Sequence, residues 1–343
     1  MPKKVFLVPY RDREPQRFFF QNYMTYILED FTEGEDYEIF FVQQNDSRPF
    51  NRGAMKNIGF LAIRDKYPES YKDITFVFHD VDVMPYKKDL IDYEATLGTI
   101  SHYYGFRFAL GGIFAIKGGD FERINGFANY WTWGFEDNLI QNRAQRAGLL
   151  INRDNFFELN DMRILHINDG NRKTLNRNYM YELVQDSGEN GLQTITNLNY
   201  TINAEQNLID VTCFNVEYSP WQGKYEDYDI RNGRDIHAPI TKDMVLANAR
   251  KGNHLETLFF INEKGERQGT RDLLEQEKRE KQERQEKQEK SRQWKPRALM
   301  MSGIKKNEQQ MQIRRNDEFM RGRRSKQPMV QKQSMQRLGM FRK

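Results

Sequence analysis

The chain has 343 residues, and 53 Lys and Arg set against 49 Asp and Glu leave a net charge of +4. That balance conceals a split: from Arg271 onward there are 22 basic and 10 acidic residues (+12), against 31 and 39 (−8) in residues 1–270, so an acidic body carries a basic tail. No run of about 18 apolar residues offers a membrane-spanning helix and the apolar start at Val5 is too short for a signal peptide; the single cysteine, Cys213, excludes an intramolecular disulfide and a zinc-finger framework, and the expected setting is reducing and cytoplasmic.

In chain order, Val5-Phe6-Leu7-Val8 is an apolar run stopped by Pro9, the pattern of a buried strand. Residues 13–28 place Phe18, Phe19, Tyr23, Tyr26 and Ile27 close to helical spacing, and 37–42 read as a second strand rich in aromatic and β-branched residues. Residues 51–66 set Met55, Ile58, Leu61 and Ala62 on one helical face, ended by Tyr67-Pro68. A third apolar strand over 74–78 runs into His79-Asp80-Val81-Asp82. Strand and helix alternating in this way predict an α/β fold with a mostly parallel central sheet. Ligands of such sheets lie at the carboxyl ends of the strands, where Pro9-Tyr10-Arg11, residues 44–51 and Asp80–Asp82 should converge.

Gly111-Gly112 and a strand over 113–116 follow, then a loop rich in Trp and Gly and a helix over 137–147. The expected organisation is a catalytic domain over 1–203, an appended lobe over 204–268, and a charged tail over 269–343. The tail begins as a Glu/Lys/Gln/Arg repeat with no apolar stripe, hence a solvated helix or disordered, and 291–343 read as flexible.

Three clusters carry candidate chemistry. Asp80 and Asp82 at a strand end can hold a hard divalent cation and a nucleotide; solvated turn acids are the plain alternative. In Trp131-Thr132-Trp133-Gly134-Phe135-Glu136-Asp137, indoles offer a sugar an apolar face and an N–H donor. A neighbouring carboxylate can then take a proton from an attacking hydroxyl. A Trp-rich core with two acids at a helix start is the alternative. Arg11, Arg13 and Arg52 can fork onto phosphate, and Phe50 can stack on a base. His166 is a candidate metal ligand.

Taken together, PYRDR (9–13), FNRGAMKNIGF (50–60), FVFHDVDVMP (76–85), GGIFAIKGGDFERINGF (111–127) and YWTWGFEDNLIQNR (130–143) resemble the β-1,4-galactosyltransferase family, glycosyltransferase family 7. ILHIND (164–169) matches more loosely, and part of the Gly111–Arg143 run is shared with polypeptide N-acetylgalactosaminyltransferases. The resemblance implies a GT-A, Rossmann-like fold, a UDP-sugar donor, a glycan or glycoconjugate acceptor, manganese, and inversion at the anomeric carbon. It places Pro9, Tyr10, Arg11, Arg13, Phe50 and Arg52 around uridine and phosphate, Asp82 and His166 on the metal, and Asp80 on the nucleotide. Gly112 would border the donor sugar, Trp133 would sit on a mobile loop, and Asp137 would be the general base with Glu136 beside it.

Several positions depart from the family pattern. Asn138 stands where a third acid is usual, and Phe135 where a glycine is usual. Arg163 and Asn168 occupy places from which a second metal-loop ligand would come; Asn168 or Asp169 would take that role, and an oxygen ligand admits Mg²⁺ as readily as Mn²⁺. Ala109 replaces a family tyrosine that crowds the sugar's C2 substituent, so galactose and N-acetylgalactosamine both become credible cargo. Rival expectations are a catalytically impaired protein that binds glycans or nucleotides, an enzyme like the polypeptide N-acetylgalactosaminyltransferases, and a basic tail that makes weak electrostatic contact with an acidic partner.

Overall fold

The computed structural model describes residues 1–167, 170–176, 178–221, 225–232, 241–250, 259–262 and 267–321. It resolves into two compact units, Met1–Glu275 and Gln276–Lys343.

The first unit is built on β1 (Lys4–Tyr10), α1 (Glu14–Ile27), β2 (Tyr37–Gln44), α2 (Arg52–Lys66), β3 (Thr75–His79), β4 (Val83–Pro85), β5 (Thr99–Gly105) and β6 (Ile113–Lys117). There follow α3 (Gly118–Arg123), α4 (Glu136–Arg146), β7 (Leu150–Asn152), β8 (Phe157–Glu158), β9 (Ile164–His166), β10 (Arg172–Leu175), α5 (Tyr179–Gln185), β11 (Thr196–Asn203) and β12 (Leu208–Asn215). The main sheet runs β11-β12-β2-β1-β3-β6-β5-β7, with β8 also on β5. β12, β2, β1 and β3 pair in parallel, as do β5 with β7 and β8, while β6 is antiparallel to both neighbours. This is the expected GT-A arrangement of a mostly parallel sheet.

All seven residues of β1 are buried, because both faces of the sheet are covered, as parallel pairing demands. Val5, Leu7, Phe40, Val42, Phe76 and Phe78 pack with α2 residues such as Met55, Ile58 and Phe60 on one face. Phe6, Val8, Phe41 and Val77 pack with Phe20, Met24 and Ile27 of α1 on the other. Asn51 caps α2, its Oδ1 accepting from the Ala54 N–H at 2.9 Å.

Two expectations about the later chain need correction. The sheet does not stop at residue 203: β12 returns to lie beside β2, Leu208 opposite Phe41 and Val211 opposite Gln44. Apolar Leu208, Ile209, Val211 and Phe214 bury on it, so the boundary falls inside a hairpin. Beyond it, β13 (Glu226–Asp229) pairs with β10, α6 is Lys242–Arg250, and β14 (Phe259–Ile261) pairs with β15 (Arg267–Gly269). The charged segment is one helix, α7 (Thr270–Arg321), which therefore includes residues 291–321, expected to be flexible. Residues 322–343 lie outside the described residues. Among the described residues no helix is long and apolar enough to cross a membrane.

Candidate active site

One strand end and two helix starts meet at Arg52. As the first residue of α2 it projects over the end of β3, and its Nη2 meets Asp80 Oδ1 at 2.5 Å. Its Nη1 donates to Glu136 Oε1 at 2.6 Å and to Asp137 Oδ1 and Oδ2 at 2.9 and 2.8 Å. One guanidinium thus binds three carboxylates, a use of its planar fork that a lysine has no geometry for. Lys56, one turn further along α2, approaches Asp137 Oδ1 at 3.2 Å. Sequence reasoning passed over this residue, although four-residue spacing puts it on the same helix face as Arg52.

The charges shift one another in defined directions. Burial works to raise the Asp80 carboxyl, but the Arg52 and Lys56 charges hold it below the usual carboxylate range. Glu136 moves upward, first through burial and then through the Asp137 charge, which both favour its neutral form. Burial and the neighbouring Arg52 lower Lys56. Burial also acts against the Arg52 cation, but the charges of Asp137, Asp80 and Glu136 prevail and raise it well above its ordinary value.

Asp137 is held by its surroundings as well as by charge. Its backbone oxygen accepts from the Leu110 N–H at 2.9 Å, and a Cβ on Gly111 would lie 2.5 Å from its Oδ2. Gly112 takes φ +68° with its Cα against the Tyr104 carbonyl, a place no side chain fits; its own oxygen receives the Asp80 N–H at 3.0 Å. Beneath this turn the pairing of β5 with β6 slips between His102 and Tyr104, a bulge of the kind found beside active sites. His102 fills it. Arg153 Nε donates to its Nδ1 at 3.1 Å, so its Nε2 carries the hydrogen toward the Tyr104 and Gly111 oxygens at 3.1 and 3.2 Å.

Asp82 faces the other way along the turn after β3. β4 pairs with β9, setting Val83 opposite His166, and His166 Nε2 lies 3.5 Å from Asp82 Oδ2. An imidazole nitrogen and a carboxylate oxygen brought together by backbone pairing make a donor set suited to a divalent ion. Arg163 is engaged with Asp161 at 2.7 Å and with the Phe157 ring. Asn168 and Asp169, the expected further ligands, lie outside the described residues.

The remaining expected residues divide. Phe50 is half-buried at the mouth of α2, its oxygen accepting from Thr132. Arg11 reaches the Arg48 carbonyl and lies 3.4 Å from Asp12, while Arg13 and Pro9 flank the end of β1. Ala109 is buried, one residue (Leu110) removed from the glycine pair. Trp133 is 37% exposed, in a loop where Thr132, Gly134 and Phe135 all have positive φ. The Tyr10 ring packs edge-on against Phe41 with Arg17 above it, because β1 is buried on both faces. Trp131 is a correction: it is wholly buried, stacked on Phe214 with its indole N–H on the Tyr218 carbonyl, so this indole is core and no sugar platform. Arg48, likewise passed over, pairs with Asp46 at 2.5 Å and covers the Trp131 and Phe214 rings.

With this geometry in place, comparison with known proteins is decisive. Residues 2–95 match the N-terminal region of glycosyl transferase group 7, and residues 94–167 match the N-terminal domain of galactosyltransferase. Residues 2–167 are therefore similar in sequence to the glycosyltransferase group 7 family. Among relatives, β-1,4-galactosyltransferase 7 of Drosophila melanogaster is 33% identical over 163 residues, 44% of this chain and 47% of that protein. Human β-1,4-galactosyltransferase 4 is 31% identical over 156 residues, 43% and 44% of the two chains. Mouse β-1,4-galactosyltransferase 5 is 28% identical over 215 residues, 59% and 52%. The chain spans about half the length of the relatives it matches. A solved structure of a Drosophila β-1,4-galactosyltransferase 7 mutant, in complex with manganese, UDP-Gal and xylobiose, aligns with 64% of this chain and 96% of its own, at 22% identity and a TM-score of 0.49.

Proposed function

We propose that this chain is an inverting, metal-dependent glycosyltransferase that moves galactose or N-acetylgalactosamine from a UDP-sugar to a hydroxyl of a glycan or glycoconjugate. The observation that carries this reading is the meeting of Asp80 and Asp137 on one guanidinium, Arg52, with Asp82 two residues from the first. An acid that follows β3 and a carboxylate in the first turn of α4 thereby share one cation.

In this reading Arg52, Arg11 and Arg13 take phosphate oxygens, Phe50 lies on the base, and Asp80 holds the nucleotide. Asp82 and His166 would hold the metal, manganese or magnesium, which when bound offsets negative charge on the departing diphosphate. Asp137 takes the proton of the acceptor hydroxyl as that oxygen attacks the anomeric carbon; the bond to UDP breaks on the opposite side, so a single displacement inverts configuration. Trp133, half-open to solvent, covers donor and acceptor, and Glu136, whose charged form burial and the Asp137 charge both disfavour, shares the Arg52 cation beside the base. The likeness to galactosyltransferases supports galactose as cargo. The small, buried Ala109, two residues before Gly111, supports room for an acetamido group as well.

The test is UDP release from a panel of UDP-sugars with and without Mn²⁺. Metal-dependent turnover of UDP-Gal or UDP-GalNAc is expected, and its absence with every donor overturns the reading. Ala109→Tyr should shift preference toward UDP-Gal; a strong galactose preference in the unmodified chain removes the N-acetylgalactosamine part.

A further inference from the structure

Arg52 and Lys56 hold the same carboxylate from one helix face, yet they differ in what can reach them. The Arg52 side chain keeps 15% of its surface open, so that a phosphate arriving from solvent can compete for its fork. The Lys56 side chain is 1% exposed, sealed behind Arg52 with its ammonium 4.4 Å from the centre of the Phe127 ring. No ligand arriving from solvent can reach it to draw it away. We infer that Lys56 is the positioning residue of the base: it holds Asp137 in place when an arriving donor diphosphate takes Arg52.

The reasoning rests on the proposed transferase reading. A carboxylate that loses its guanidinium partner is free to rotate about its side-chain bonds, and a base must stay within a fraction of an ångström of its target proton. The contacts that remain to Asp137 are the backbone bond to Leu110, the wall of Gly111 and the Lys56 ammonium at Oδ1. Only the last acts on a carboxylate oxygen by hydrogen bonding. Buried lysines are costly unless paired, and the groups around this one are Arg52 on its own helix, Asp80 after β3, and Glu136 and Asp137 on α4. Asp137 alone is within hydrogen-bond reach.

The experiment is a double-mutant cycle on the full chain, using Lys56→Met, Asp137→Asn and the pair, with Lys56→Gln as the conservative variant. Donor turnover and UDP affinity are measured separately. Lys56→Met should lower kcat about 10- to 100-fold with UDP affinity unchanged, and Lys56→Gln, which keeps an N–H donor, should recover part of the loss. In the Asp137→Asn background Lys56→Met should cost nothing further, because Lys56 acts through that carboxylate. Full additivity, an unchanged kcat in Lys56→Met, or a parallel loss of UDP binding overturns the inference alone. An unmodified chain that turns over no UDP-sugar overturns the transferase reading and the inference with it.

Discussion

Around Arg52 each of three carboxylates already has a cation, whereas Asp82 has beside it the His166 imidazole, 54% of whose side-chain surface is open. The first region is finished by the protein's own groups: α2 supplies both cations, α4 the acids, and the glycine turn the wall. The second is a step between two short strands, offering a pair of donor atoms to whatever completes the coordination. Under the proposed transferase reading, the difference teaches that proton transfer would depend on geometry set during folding, while charge neutralisation on the donor would be assembled with the ligand.

Changing Asp137 to Asn breaks the finished side most severely. Turnover should fall by about 10²–10⁴ with UDP affinity retained, measured by UDP release and calorimetric titration; loss of both would indicate a damaged fold. Protonation is the next lever. Burial lowers His79, just before Asp80, to about 4, and burial with the Arg153 charge lowers His102, under Gly111, to about 3. Below pH 6.5 the unfolded chain takes up protons that the folded chain refuses. Stability held above that pH is therefore lost as pH falls toward 4, on the order of 3 kcal/mol between pH 7 and 5 for the two together. Urea unfolding across this range checks it, and His102→Gln should reduce the slope.

On the open side, His166→Ala should weaken Mn²⁺ binding in the presence of UDP by at least about 10-fold while leaving the melting temperature unchanged. A drop in melting temperature would mean the two regions are not independent. The smallest effect concerns Phe135, which caps α4 at φ +73°, a conformation that a bulky residue adopts at a cost. Its ring is packed with Tyr130, Leu139 and Leu183. Both Phe135→Ala and Phe135→Gly lose that packing, but only glycine relieves the backbone, so the glycine variant should be the more stable by about 1 kcal/mol in urea unfolding.

The strand ends were legible because period, chain order and turn chemistry are local. Asp80, Asp82, Phe50, Arg52, Glu136 and Asp137 all fall where alternating strand and helix patterns put them. Lys56 was not legible, since a lysine between Met55 and Asn57 reads as a solvated helix position, and only tertiary packing reveals that α4 and Phe127 close over it. Trp131 and Trp133 are two residues apart and look equivalent in the sequence. The positive φ of Thr132 turns the chain between them, sending one indole into the core and leaving the other exposed. For β12 the missing information was its partner, since short apolar patches at Leu208, Ile209 and Val211 do not say that they belong beside β2, far away in the chain.

That remote partnership has a practical consequence for anyone wishing to isolate the catalytic portion. A polypeptide ended at residue 203 would leave the outer hydrogen-bonding groups of Phe41, Val42, Gln43 and Gln44 bare, an open template for association between molecules. Synthesis has to run past Asn215 before this flank can close, so the acceptable place to cut lies after that residue.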